Sequence, residues 1–104
     1  MAVYYINSYD IIDTELYQEY GPKVYPILLR YGAEVLASDT TPIVLEGQAR
    51  KMNAIVKFPS EEAALNCYND EEYQAVKAIR INSTANCTMV LVREFSINLP
   101  NANE

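Results

Sequence analysis

Apolar residues recur along the chain with two periods, one typical of strands and one typical of helices. A first strand is predicted over residues 3–9, which are rich in β-branched and aromatic side chains. Apolar residues then recur every three or four positions, which predicts a helix from residue 14 to about residue 30 with Asp13 as its N-cap. Because Gly21-Pro22 and Pro26 interrupt this stretch, we expect a kink or break near Gly21. Gly32 is the predicted end of the helix.

The second half of the chain repeats the alternation of strand and helix signals. Strands are predicted over residues 33–38 and 52–58, and residues 43–47 are expected to extend the earlier strand or to add a short one. Ser60 and Asp70 are predicted N-caps of two short helices, each followed by two glutamates in the positively polarised first turn. A last strand is expected over residues 88–97. We therefore predict one domain over residues 1–98 and a polar tail over residues 99–104.

The predicted order is β-α-β-β-α-β, which is typical of an α+β, ferredoxin-like domain. We expect a four-stranded antiparallel sheet with both helices on one face. Apolar side chains also point to the other face, where Ile55, Val90 and Val92 would lie. Two helices cover only one face of such a sheet, so the second face needs another cover. We therefore expect a homodimer that associates through this face.

Composition and charge exclude several classes of function. The 104 residues carry a net charge of −6, and no basic cluster offsets it, so nucleic acid is not an expected partner. We see no signal peptide and no apolar run of the ~20 residues that a membrane-spanning helix needs, so we expect a cytoplasmic protein with no membrane partner. The chain has no histidine, which argues against zinc, haem and a histidine base, and we expect no metal and no cofactor.

The candidate ligand-binding residues lie mostly in the second half of the chain. Tyr73 and Arg80 share one face of the second short helix, and Tyr68 lies just before that helix. Arg80 is expected either to form a structural ion pair with Glu46, to hold an anionic group of a ligand, or to be exposed to solvent. Phe58 is expected to form an apolar floor. Tyr20 and Tyr31 are expected to belong to the core or to wall the same cavity.

The two cysteines, Cys67 and Cys87, are expected to stay reduced and to act as small buried apolar residues. Cys67 lies near the C-terminal end of its helix, where the helix dipole disfavours a thiolate. No histidine is present to deprotonate either thiol. A cysteine nucleophile is therefore not predicted.

Several short motifs along the chain match a known family. They are Tyr20-x-x-x-Val24-x-Pro26, Tyr31-Gly32, Val44-Leu45-Glu46-Gly47, Phe58-Pro59-Ser60-x-Glu62-Ala63-Ala64, and Tyr68-Asn69-Asp70-x-x-Tyr73-Gln74-Ala75 followed by Arg80. In this the chain resembles the domain of unknown function 1330 family, from its first strand to its last. The resemblance implies a dimeric α+β barrel, in which two ferredoxin-like units pack their sheets together. The chain departs from the family pattern at Gly21-Pro22. It also departs at Ala33, where the family commonly has a second glycine after Tyr-Gly.

The resemblance implies little about chemistry, because the family has no settled activity. Related barrels include cofactor-free monooxygenases, small isomerases and haem-degrading enzymes. Our leading hypothesis is a homodimer that binds a small molecule between helices and sheet, partly apolar and either neutral or anionic, through Arg80, Tyr68, Tyr73, Glu46 and Phe58. The alternatives are a cofactor-free oxygenase or isomerase that uses the same pocket, and a structural or interaction module without a ligand.

Overall fold

Among the described residues, the chain forms four strands and four helices in the order β-α-α-β-β-α-α-β. A computed structural model describes residues 1–96. The elements are β1 (Val3–Ile11), α1 (Thr14–Tyr17), α2 (Tyr20–Arg30), β2 (Glu34–Asp39), β3 (Met52–Phe58), α3 (Glu61–Tyr68), α4 (Glu71–Ser83) and β4 (Thr84–Arg93). The strands form one antiparallel sheet in the order β2-β3-β1-β4. This confirms the predicted α+β, ferredoxin-like arrangement.

The pairing register gives the sheet an inner face under the helices and an outer face without helices. Tyr5 lies opposite Val56 on β3 and Leu91 on β4, and this row faces the helices. Ile6, one residue later, lies opposite Ile55 and Val90, and this row belongs to the outer face. The alternation predicted from the sequence for β3 and β4 is therefore confirmed.

The core lies between the inner face and the helices. Its most buried side chains come from both layers: Val3 and Phe58 from the sheet, and Ile27, Cys67 and Tyr73 from the helices. The rings of Tyr5 and Phe58 lie 4.5 Å apart, centroid to centroid, in a tilted arrangement. Burial of these large apolar side chains is the main contribution to folding and fixes the helices on the sheet.

The predicted break in the first helix is present at residues 18 and 19, two residues before Gly21, and divides the helix into α1 and α2. Pro22 falls in the first turn of α2, where a missing N–H costs nothing, so it is compatible with a new helix start. Pro26 lies inside α2. The helix ends as predicted at Gly32, whose φ of 76° allows the Schellman pair of bonds from the Gly32 and Ala33 N–H groups to the carbonyls of Leu29 and Leu28.

Two other predictions about strands need correction. Residues 43–47 form no strand but belong to an irregular segment over residues 40–51, in which Ile43 and Leu45 are each 89% exposed. The last strand begins four residues earlier than predicted because α4 ends at Ser83 and leads directly into β4. It also ends at Arg93, so residues 94–96 are not part of the strand as predicted. The predicted strand residue 97 and the predicted tail over residues 99–104 lie outside the described residues.

Both predicted caps of the second half are confirmed. The Ser60 hydroxyl accepts a hydrogen bond from the Ala63 N–H at 3.0 Å, which caps α3. The Asp70 carboxylate accepts from the N–H groups of Glu72 and Tyr73 at 2.7 and 3.3 Å, which caps α4. Within residues 1–96, no helix is both long enough and apolar enough to cross a membrane.

Candidate functional site

A cavity of about 200 Å³ lies between α2 and the inner face of the sheet. Its floor includes a row of three small or polar residues, Ser38 on β2, Ala54 on β3 and Asn7 on β1, which the register places side by side. The rows on either side carry larger residues such as Val56 and Tyr9. Because the middle row lacks bulk, the space beneath α2 is not filled.

Tyrosines form much of the cavity wall. Further lining residues come from α2, which supplies Val24 and Leu28. Gly21, Tyr25 and Val35 also line the cavity and are exposed, so it opens to the surface between α2 and the edge strand β2. The tyrosines that line it are Tyr5, Tyr9, Tyr17, Tyr20, Tyr25 and Tyr73.

Most of the buried tyrosine hydroxyls already have partners. The hydroxyls of Tyr9 and Tyr17 lie 2.6 Å apart, and the Tyr5 hydroxyl donates to the Ala64 carbonyl. Burial raises the pKa values of Tyr5, Tyr9 and Tyr73 above their ordinary value, because the phenolate form is poorly solvated there. At neutral pH these groups are therefore hydrogen-bond donors and acceptors, but not bases.

Asn7 is the one polar floor residue with an unsatisfied buried atom. Its Oδ1 has no hydrogen-bond partner among the described residues, although the atom is inaccessible to bulk water. A buried acceptor without a donor is costly. A ligand that donates a hydrogen bond would remove this cost.

Arg80 lies behind the cavity wall and is almost completely buried, at 2% exposure. Its Nη1 donates to the Cys87 Sγ at 3.0 Å, and its guanidinium carbon lies 5.8 Å from the centroid of the Tyr20 ring. Its Nε has no partner within the described chain. Burial lowers the pKa of Arg80, but the combined effect of Tyr20, Tyr73 and Cys87 raises it by more. The net pKa therefore lies above the ordinary value, and the side chain stays charged.

The expected ion pair between Arg80 and Glu46 does not form. No carboxylate of residues 1–96 lies within salt-bridge distance of Arg80. The reason is location: Arg80 points into the layer between helices and sheet, whereas Glu46 is exposed in the irregular segment over residues 40–51. Arg80 is also not exposed to solvent, which excludes another of its three sequence interpretations.

The five candidate residues are not brought together at one site. Tyr73 lines the cavity under α2, whereas Tyr68 lines a second cavity of about 180 Å³ that also includes Leu65 and Met89. Lys77 donates to the Tyr68 hydroxyl at 3.3 Å. Phe58 is fully buried in the core and lines neither cavity.

The two tyrosines expected at the first helix, Tyr20 and Tyr31, also lie at different places. Tyr20 lines the cavity under α2. Tyr31 instead donates its hydroxyl to the Asp70 carboxylate at 2.6 Å and thereby connects the end of α2 to the cap of α4. Of the sequence candidates, only Tyr73 and Tyr20 line this cavity.

Sequence reasoning missed the residues of the cavity floor, although one signal was present. Asn7 stands between Tyr5 and Tyr9 in a strand whose odd-numbered residues face the core, so it is a polar residue in a buried register. Ala54 is likewise the smallest inward residue of β3, between Met52 and Val56. Polar or small residues at inward positions of adjacent strands indicate a cavity.

Neither a metal site nor a reactive thiol lies at this cavity in the described part of the chain. Residues 1–96 hold no group of three or more potential metal-ligating side chains. Both cysteines are free, as expected. Burial raises the pKa of the Cys67 thiol to about 11, so it is inert as a nucleophile at neutral pH.

Comparison with known proteins finds relatives of the same fold. No curated protein sequence matches the chain. The RPA0582 protein of unknown function from Rhodopseudomonas palustris is similar in structure, with a TM-score of 0.78 at 17% identity over 91% of this chain and 83% of that one. A dimeric protein of unknown function and ferredoxin-like fold from Bacteroides fragilis gives 0.62 at 11% identity, over 90% and 96% of the two chains.

A third similar structure is that of SnoaB, a cofactor-independent oxygenase from Streptomyces nogalater. Its TM-score is 0.66 at 9% identity, over 95% of this chain and 97% of that one. At such identities the likeness shows the fold alone. The sequence comparison is more specific, because residues 2–95 match the family described as a domain of unknown function, DUF1330. The family match covers nearly the whole chain, and the protein belongs to the DUF1330 family.

Proposed function

We propose that this protein is a homodimer that binds a small, largely apolar molecule in the cavity between α2 and the sheet. The observation that carries the proposal is the cavity of about 200 Å³. An apolar cavity of about 150 Å³ can hold benzene, and sites for drug-sized ligands begin near 300 Å³. The expected ligand therefore has a single ring or a comparable size.

The polar groups of the cavity favour a ligand that is not purely hydrocarbon. Asn7 Oδ1 is a buried acceptor without a partner in residues 1–96, so it favours a ligand with a hydroxyl or N–H group. The tyrosine rings supply flat apolar contact. A one-ring ligand with at least one hydrogen-bonding group fits these features.

Chemical-shift mapping with phenol and nitrobenzene tests the binding proposal. We expect either probe to shift the backbone amide signals of Asn7, Ala54 and Val24 at the cavity. Signals of Leu65 and Tyr68, at the second cavity, serve as the internal control and should move little. Shifts confined to the second cavity, or no saturable shifts at all, would refute the proposed site.

The dimer proposal rests on the apolar outer face of the sheet. Ile55, Val90 and Val92 are exposed there, and Ile43 and Leu45 of the irregular segment are exposed as well. Ile55 and Val90 flank Ile6 in one row of the outer face, and an exposed apolar row of this kind is typical of a protein interface. Two structurally similar proteins of unknown function, from Bacteroides fragilis and Thermobifida fusca, are described as dimeric. Together these observations support association through the outer face.

A matched pair of charge substitutions tests this interface. Val90 on the outer face and Ile81 on α4 are exposed by 52% and 51%, so a glutamate at either position would remain largely in solvent in the isolated fold. We expect Val90→Glu to yield a monomer in light scattering at micromolar concentration. Ile81→Glu should leave the dimer intact. A wild-type protein that is monomeric under these conditions would refute the proposal.

The cavity also bears on the two other hypotheses, an enzyme that uses it and a structural module without a ligand. A cofactor-free oxygenase or isomerase is supported by the likeness to SnoaB only at the level of fold. It would need a tyrosine as proton donor, because no carboxylate or histidine lines the cavity within the described chain. A purely structural module is disfavoured by the unfilled space and by the unsatisfied Asn7 acceptor.

A further inference from the structure

Arg80 places an uncompensated positive charge next to the proposed cavity. The side chain is buried at 2% exposure, and no carboxylate of residues 1–96 pairs with it. Its neighbours are the side chains of Tyr20, Tyr73 and Cys87. In a poorly solvated interior, the field of such a charge is weakly screened and extends over several ångströms.

Tyr20 connects this charge to the cavity. It lines the cavity, and the Arg80 guanidinium lies 5.8 Å from the centroid of its ring. Burial raises the pKa of Tyr20. The nearby Arg80 charge and the Tyr73 hydroxyl lower it, but the net pKa remains above the ordinary value. The Tyr20 hydroxyl therefore keeps its proton and can donate it in a hydrogen bond.

The groups that face the Tyr20 hydroxyl come from several elements, and none of those in residues 1–96 is a carboxylate. They are Arg80 and Tyr73 from α4 and Tyr17 from α1, with Tyr9 of β1 near Tyr17. Cys87 of β4 lies behind Arg80. The local field at this end of the cavity is therefore positive, although the whole chain carries a net charge of −6.

We propose that the ligand has an acidic hydroxyl, as in a phenol or an enol, in addition to the donor group that Asn7 favours, and that the cavity binds this hydroxyl as its oxyanion, with the Tyr20 hydroxyl as donor and Arg80 as the charge behind it. On binding, the ligand hydroxyl releases its proton to water, and its oxygen accepts the Tyr20 hydrogen bond. The inference rests on the proposed function and specifies the ligand class for the same cavity. Arg80 acts here as a positioning residue, because Tyr20 stands between it and the ligand.

Two probes of the same ring size separate this inference from the proposed function. 4-Nitrophenol changes its absorption spectrum when it ionises, whereas nitrobenzene has no ionisable group. We expect both to bind, and we expect bound 4-nitrophenol to ionise at least one pH unit below the free probe, which is a tenfold preference for the anion. Tyr20→Phe should abolish this shift while nitrobenzene still binds.

Variants of Arg80 test the origin of the charge. Arg80→Gln should remove the shift, and Arg80→Lys should keep part of it. Lys77→Gln is the matched control, because it removes a cation from the same helix that contacts Tyr68 rather than the cavity. It should leave the shift unchanged. If the Arg80 variants do not fold, Tyr20→Phe still decides the question, because it keeps the ring.

The possible outcomes are distinct. A bound probe that ionises at the same pH as free 4-nitrophenol, or at a higher pH, overturns the inference and leaves the binding proposal standing. A shift that persists in Tyr20→Phe overturns it as well. If neither probe binds the wild-type protein, the proposed function fails together with the inference.

Discussion

Filling the cavity should make the protein more stable and a weaker binder. Ala54 lies in the middle of the floor row, on a strand, where a β-branched residue is well tolerated. Ala54→Ile adds three carbons that would occupy the empty space. Each buried carbon of this type contributes about 0.8 kcal/mol, so an upper estimate of the gain is about 2 kcal/mol. Because the cavity is open at one side, we expect a gain of about 1–2 kcal/mol.

Urea denaturation at fixed protein concentration measures the gain in stability, since the stability of a dimer depends on concentration. Titration with phenol measures the loss of binding, and we expect the dissociation constant for phenol to rise at least tenfold. A higher stability together with a weaker affinity is the diagnostic result. Overpacking costs about 1–3 kcal/mol, so a loss of stability would mean that the space under α2 is not available. Unchanged phenol binding would place the ligand elsewhere.

Gly21→Ala should stabilise the fold without filling the floor of the cavity. Gly21 lies at the exposed mouth of the cavity, a Cβ there would contact nothing within 4 Å, and the residue has no positive φ. The substitution should therefore stabilise the fold by about 0.4–1 kcal/mol in urea denaturation, chiefly by restricting the unfolded chain. An unchanged or lower stability would contradict this expectation.

Three further predictions concern the termini of the helices. Gly32→Ala should destabilise the fold by about 1–2 kcal/mol in urea denaturation, because its φ is 76° and a new Cβ would lie 3.2 Å from a proline ring carbon; no loss would refute the cap assignment. Ser60→Ala should cost about 1 kcal/mol by the same measurement, and Ser60→Asn should restore most of it. The hydrogen bond from Tyr31, together with the α4 N–H groups, holds the pKa of Asp70 below its ordinary value, so stability should fall as the pH drops from the ordinary aspartate range through that lowered pKa. Asp70→Asn should flatten this acid limb of a plot of urea midpoint against pH, and an unchanged slope would contradict it.

Local signals explain why much of the fold could be predicted. The bounds of β3 follow from alternation, and the starts of α3 and α4 follow from Ser60 and Asp70, whose side chains act on N–H groups two or three residues away. Gly32 likewise ends α2 through its own backbone conformation. Each of these features is decided within a few residues of the chain.

The candidate site was predictable only in part because it depends on non-local register. The floor row joins three strands, and the pairing of β2 with β3 shifts between Val35 and Ala37. No local pattern gives the position of such a bulge. The prediction of an Arg80–Glu46 ion pair was wrong for a similar reason. Complementary charge does not show where an irregular segment lies in the fold.

The floor row and the charge come from different parts of the fold, and this separation has an evolutionary consequence. Ser38, Ala54 and Asn7 belong to strands, whereas Arg80 belongs to α4. Substitutions in the row would alter the size and shape of the proposed binding cavity without displacing the cation. Descendants of such a protein could therefore diversify their ligands through three positions while inheriting the same electrostatic end of the cavity.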